Sequence, residues 1–300
     1  MSKQFQGYIY LSLAMALVGS TVIASKIIAS GLPPFTATAL RFALAFPLFL
    51  MLMRATATPW PRLQRREWLI LFIQAGAGSV GYTTLLISGL RLTPAADAGV
   101  IIGTLPTVSA GIAIVVLGER PDRSILLAIA LAAAGVLSIV FRADGGGAPS
   151  LLGNLLVFGA VICEGLFILI NKRLTTAISP LALSTLMAGL GVAISAPIAL
   201  LEIPQAAAVT THSIAAVGYY ALVPTVGGFL LWYAGLAKVS GTEASVFTAL
   251  APVSAVLLAF IMLGEPVSAN QLIGIACVLA AVLSLGLRLP GTQRNRSEAG

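Results

Sequence analysis

Few residues in this chain can do chemistry, and the first is Glu164. It stands near the middle of an apolar stretch, 151–172. A carboxylate in hydrocarbon costs a few kcal/mol to insert, so function is its default reading. It can hold a substrate ammonium or carry a coupling proton. The structural alternative is a hydrogen bond or salt bridge inside a helix bundle. Around it in composition, though not in sequence, stand two polar and aromatic groups. Gln74, Ser79, Tyr82 and Thr83 form one; Tyr219, Tyr220, Thr225, Phe229, Trp232 and Tyr233 form the other. A tyrosine or tryptophan offers a flat apolar face and one hydrogen bond, which suits a solute with an aromatic or aliphatic side chain. Trp232 and Tyr233 also fit an interfacial anchor, since both lie near a helix end. The candidate substrate-binding set is therefore Gln74, Ser79, Tyr82, Glu164, Thr225, Phe229 and Trp232.

The backbone breakers come in corresponding pairs. Gly78 corresponds to Pro224, Gly81 to Gly227, and Pro106 to Pro252, each 146 residues further on. Proline removes a backbone donor and glycine lets backbone approach a neighbour or a cavity. Paired interruptions in two halves of a chain are the best sequence pointer to a binding site between them; the plainer reading is helix packing. Gly99 and Gly103 have the GxxxG spacing, for which packing is the preferred reading. Gly76 to Gly81 spells GxGxxG, but it lies inside an apolar span rather than between a strand and a helix, so a dinucleotide site is rejected. Lys26 and Lys172 are also partners at this offset. They belong near opposite surfaces, and each is expected to help close its own side; snorkelling to headgroups competes with that gating role. Arg41 has Met187 at the partner position and is expected to face the bundle or a water-filled vestibule.

These residues need elements to hold them, and composition says what kind. The chain is 58% hydrophobic and only 9% charged, with a mean hydropathy of +1.01. Soluble domains carry about 25% charged residues, so lipid is the solvent this surface fits. The net charge of +7 does not point to nucleic acid, because the basic residues sit between apolar runs rather than on one face. Cys163 and Cys277 lie deep in apolar spans as small hydrophobes; neither a disulfide framework, a metal site nor a cofactor is expected. The first apolar run is too long for a signal-peptide core and only Lys3 precedes it, so it is kept as a helix.

Ten spans follow, at 7–29, 34–53, 68–90, 95–117, 123–141, 151–172, 180–201, 213–235, 243–263 and 268–288. Alternating ten-residue segments of a β-barrel are absent. Placing the N-terminus in the cytoplasm collects Lys3, Arg54, Arg62, Arg65, Arg66, Arg120, Arg123, Lys172, Arg173, Lys238, Arg288, Arg294 and Arg296 on that side. The other side keeps Lys26, Arg91 and Arg142. That bias puts both termini in the cytoplasm.

The offset of 146 residues aligns the halves without a gap. Besides the pairs above, Pro34 meets Pro180, Gly89-Leu90 meets Gly235-Leu236, Asp97 meets Glu243, and Leu117-Gly118-Glu119 meets Leu263-Gly264-Glu265. Five helices per unit is an odd number, so the second unit enters the membrane from the opposite side. The expected fold is an all-α membrane protein of ten transmembrane helices in two inverted five-helix repeats, 1–146 and 147–290, with a disordered cytoplasmic tail at 291–300. Inverted repeats are a common build for secondary transporters, with the substrate held between them near the midplane.

The chain at this point resembles the EamA-type drug/metabolite transporter superfamily. The resemblance covers about residues 7–288 and rests on the two Leu-Gly-Glu motifs that end the fourth span of each unit, with Pro106 and Pro252 before them. It implies a repeated structural turn at Glu119 and Glu265. Within the superfamily the chain looks most like bacterial amino-acid exporters, including the aromatic-amino-acid group, by overall likeness rather than by a motif. The expected activity is export of an amino acid or similar metabolite across the bacterial inner membrane by alternating access, by a monomer, with the lipid bilayer and a small molecule as partners. The rival is a broad drug or quaternary-amine exporter, for which Glu164 beside Tyr82 and Trp232 would supply a cation pocket. An enzyme is not expected: no HExxH, GxSxG or Walker A motif occurs, and His212 is the single histidine.

Overall fold

The computed structural model describes residues 3–117, 123–140, 150–171, 173–174, 176–202, 209–239, 247–248 and 250–286. These residues form helices and connections, with no strand among them. In chain order the helices are α1 (Lys3–Ala29), α2 (Pro34–Ala55), α3 (Arg65–Leu90), α4 (Ala95–Gly103), α5 (Leu105–Leu117) and α6 (Arg123–Val140). They continue as α7 (Leu151–Asn171), α8 (Pro180–Glu202), α9 (Thr211–Leu236), α10 (Leu250–Leu263) and α11 (Ala269–Gly286). Among the described residues six helices, α1, α2, α3, α7, α8 and α9, are long and apolar enough to cross a membrane. A seventh candidate is the pair α4 and α5, bent by 46°. Shorter apolar helices cover Leu126–Ser138, Leu250–Leu263 and Ala269–Ala281. Large apolar side chains cover the outside, such as Met51, Leu200, Leu201 and Ile261, at 64–77% exposure. Such a belt would be an aggregation surface in water and is the natural face of a bundle in lipid.

Local chemistry explains where the helices start and bend. Pro34 and Pro180 open α2 and α8, where a missing N–H costs nothing. The fourth predicted span is broken at Thr104, just before Pro106, because the ring cannot accept the preceding helical geometry. α3 and α9 each contain a π-helical stretch, Ala75–Gly81 and Ala221–Gly227. The two stretches are 146 residues apart, so the breakers Gly78, Gly81, Pro224 and Gly227 fall at equivalent places. Pro224 frees a carbonyl, and the Thr225 hydroxyl donates to the Tyr220 oxygen at 2.8 Å to satisfy it.

The packing follows the same offset. α2 lies on α8, and α6 on α11. α1 packs chiefly on α9 and α10, while α7 packs on α3, α4 and α5. Small residues make these approaches possible. A β-carbon at Gly89 would stand 2.9 Å from the Gly153 oxygen, and one at Gly235 would stand 3.3 Å from the Gly7 oxygen. These contacts are repeat equivalents at opposite ends of the bundle. Gly99 and Gly103 pack on α10, the latter against Pro252, so the GxxxG spacing is a packing device.

The end of the bundle that holds Lys26 is tied by polar contacts. The Lys26 ammonium donates to the oxygens of Leu90 and Thr93 at 2.7 and 2.8 Å. Arg91 donates in return to the oxygens of Ala29 and Leu32. Each cation thus meets the last carbonyl of the other helix, where the helix dipole is negative, and a carbonyl of the loop that follows it. Glu202 accepts from the Phe35 and Thr36 amides at the start of α2, and Glu265 from the Ala95 and Ala96 amides at the start of α4.

Candidate functional site

A cavity of about 430 Å³ lies inside the bundle, in the usual size range for a small-molecule site. Both π-helical stretches border it, through Gly78 and Ser79 on α3 and Pro224 and Thr225 on α9. From there it extends toward the end opposite Lys26, reaching Asn171 at the last residue of α7, Leu183 and Ser184 near the start of α8, and Tyr233 near the end of α9.

Much of the wall consists of repeat partners. Val18 and Glu164, Thr21 and Phe167, Arg41 and Met187, Phe42 and Ala188, Gly78 and Pro224, and Ser79 and Thr225 all line it. The cavity therefore sits where the equivalent faces of the two halves meet. Of the predicted substrate-binding residues, Ser79, Tyr82, Glu164, Thr225 and Phe229 are in the wall. Gln74 and Trp232 are not. Gln74 is fully buried one turn below Gly78, and its amide donates to the Phe167 oxygen at 3.2 Å, so it backs the wall. Trp232 packs with Met15, Val18 and Ala251 between α1 and α10. Among the predicted breakers, Gly78 and Pro224 reach the cavity; Gly81 packs toward Cys163 and Pro252 toward Gly103. Gly227 and Pro106 lie outside the wall, Pro106 at the start of α5.

Arg41 has a larger place than its sequence reading gave it. Its Nε donates to Thr225 at 3.1 Å and an Nη to Thr83 at 2.8 Å, while its guanidinium carbon stands 3.8 Å from the Tyr220 ring centre. Arg41 thereby links α2 to both helices that carry π-helical stretches. Glu164, on α7, lines the same cavity. The signal that marked Arg41 was available, an arginine inside an apolar span, but nothing in sequence paired it with Glu164. Aromatic rings form part of the wall: Phe49 meets Phe229 edge-on with centroids 5.4 Å apart, and Phe229 lies 4.6 Å from Tyr233.

Lys26 does not line the cavity; it fastens α1 to α3 at the opposite end. Lys172, Glu119 and Glu243 lie outside the described residues, as does the tail at 291–300. Glu265 caps a helix start, which is a structural use of the acid in its Leu-Gly-Glu motif. Cys163 and Cys277 are free thiols. Among the described residues no group of His, Cys, Asp and Glu could hold a metal.

Comparison with known proteins identifies the setting. The EamA-like transporter family matches residues 5–141 and, a second time, residues 151–287. The chain belongs to the EamA-like transporter family. Among relatives of this EamA-like chain is the uncharacterized transporter YetK of Bacillus subtilis (strain 168), 35% identical over 285 residues, covering 93% of this chain and 86% of that one. A protein of Streptantibioticus cattleyicolor named "Probable terminal-alkyne amino-acid exporter" is 26% identical over 239 residues, covering 80% of each chain. A crystal structure matches with TM-score 0.63 at 20% identity, over 94% of this chain and 96% of the other, a likeness of fold alone. This EamA-like protein is thus a membrane transporter.

Proposed function

We propose that this EamA-like transporter exports small metabolites, specifically amino acids with aromatic or aliphatic side chains, across the bacterial inner membrane by alternating access. The observation that carries the reading is the cavity built from repeat partners at the two π-helical stretches. A site on the seam between equivalent halves lets one conformational exchange swap the side to which it opens. The aromatic wall and the cavity's size favour a small organic solute, and the resemblance to a protein named as an amino-acid exporter supports the class.

The topology that goes with it has ten spans, the bent pair α4 and α5 counting as one and the shorter α6, α10 and α11 as three. The halves, 1–146 and 147–290, run in opposite senses with both termini cytoplasmic. The glycine contacts at opposite ends, Gly89 with Gly153 and Gly235 with Gly7, support that inversion. In this orientation the cavity extends toward the cytoplasm and the Lys26 end is shut. Lys26 and Lys172 serve as gate residues, each tying its own end when that end is closed. The monomer suffices, since one chain supplies both walls.

The alternative, a drug or quaternary-amine exporter, draws on Glu164 beside Tyr82, but Arg41 in the same wall opposes a purely cationic solute. The test is flux in proteoliposomes holding the full chain, with a panel of amino acids and cationic dyes, with and without a proton gradient. Saturable exchange of methionine or phenylalanine is expected. Transport of dyes with no amino acid moved would overturn the assignment.

A further inference from the structure

Resting on the transport reading above, we propose that the cavity recognises its solute as a zwitterion, Arg41 taking a carboxylate and Glu164 an ammonium. Among the described residues the cavity wall holds one side chain of each charge, on α2 and α7, from opposite halves of the chain. Their repeat partners, Met187 and Val18, also line the cavity and are apolar. The duplicate half therefore packs the same two places without charge, and packing alone does not require an arginine or a glutamate there. Each charge is costly in an apolar span unless something compensates it.

The two groups do not neutralise each other by contact. Among the described residues the Glu164 carboxylate has no hydrogen-bond partner within 3.5 Å and no ion-pair partner within 4.0 Å. Arg41 spends two donors on Thr225 and Thr83. A guanidinium has five N–H donors, so others remain for a ligand. The threonines and the Tyr220 ring hold the guanidinium in place before a solute arrives, which lowers the ordering cost of binding. A carboxylate can then be met by a planar fork and an ammonium by a free carboxylate, with the solute's side chain against Phe49, Phe229 and Tyr233. Selectivity has a repulsive part as well. A monocation leaves Arg41 uncompensated, and a monoanion does the same to Glu164.

The experiment is competition against labelled phenylalanine exchange in proteoliposomes, with methionine as the second series. The competitors are the zwitterion, its amide (a monocation) and its deaminated acid (a monoanion). In the wild type the zwitterion is expected to compete about tenfold or more better than either, the range of a charge-assisted hydrogen bond. Glu164→Gln is expected to narrow the gap to the deaminated acid and keep the gap to the amide. Arg41→Met, which installs the residue of the partner position, is expected to do the reverse. If Arg41→Met does not yield a monodisperse protein, Arg41→Lys is measured in its place, with the gap to the amide expected to shrink and not vanish. Wild-type exchange of amino acids with both gaps unchanged in the variants, or with all three competitors weakened alike, would overturn the zwitterion assignment and leave the transport reading standing. Failure of the wild type to move any amino acid would overturn both.

Discussion

Removing the Lys26 ammonium should loosen the end of the bundle that it ties. Lys26→Met keeps the aliphatic stem and deletes two hydrogen bonds, 2.7 Å to the Leu90 oxygen and 2.8 Å to the Thr93 oxygen. A hydrogen bond to a charged group contributes about 1.5–3 kcal/mol when buried. Lys26 is only partly buried and water can replace part of what is lost, so the pair is worth about 1–2 kcal/mol together. That corresponds to a shift of about five- to thirtyfold in the equilibrium between this end closed and open. Arg91 keeps its own contacts to Ala29 and Leu32, so the end should not come apart outright. The assay is a pulsed electron-spin distance measurement between labels at Ser30→Cys and Leu92→Cys, in a background with Cys163 and Cys277 replaced by serine. The wild type should give one short distance. Lys26→Met should add a longer population and slow or uncouple net flux, while Lys26→Arg should resemble the wild type. An unchanged distance distribution together with unchanged flux would refute the gate role and leave Lys26 as a fastening of no mechanistic weight.

Other outcomes follow from the same contacts. Gly89→Ala places a methyl 2.7 Å from Val157 and 2.9 Å from the Gly153 oxygen, and should lower thermal stability in detergent by about 1–3 kcal/mol. Gly111→Ala, with nothing within 4 Å, should be neutral or stabilising in the same melt. Glu265→Ala removes the acceptor for the Ala95 and Ala96 amides and should cost about 1–2 kcal/mol, again read by melting. Phe229→Ala opens the aromatic wall between Phe49 and Tyr233, and flux assays should show a larger loss for phenylalanine than for alanine. Trp232→Phe, outside the wall, should leave that substrate preference unchanged.

Apolar helices, their approximate ends and the places where they bend were legible in the sequence, because each is a short-range property. The span at 34–53 became Pro34–Ala55 and that at 180–201 became Pro180–Glu202, since proline and the surrounding polarity mark helix starts locally. Gly78 and Pro224 were readable as breakers for the same reason, and both fall in π-helical stretches at the cavity. What each side chain faces was another matter. A spanning helix is apolar on every side, so its sequence carries little record of which stripe meets lipid, which a neighbour and which a cavity. Trp232 and Phe229 are three residues apart on one helix, yet Phe229 enters the wall and Trp232 packs on α1 and α10. Gln74 and Ser79 part company in the same way, because the π-helical turn between them changes the register.

The sequence by itself determined that the chain is a bundle of apolar helices with one internal offset and a handful of charges it could not place idly in lipid. Only the tertiary structure decided that Arg41 and Glu164, 123 positions apart by their numbers, share one cavity. Hydropathy and helix breaking are written residue by residue, whereas the meeting of two distant helices depends on how all of them rotate and pack together.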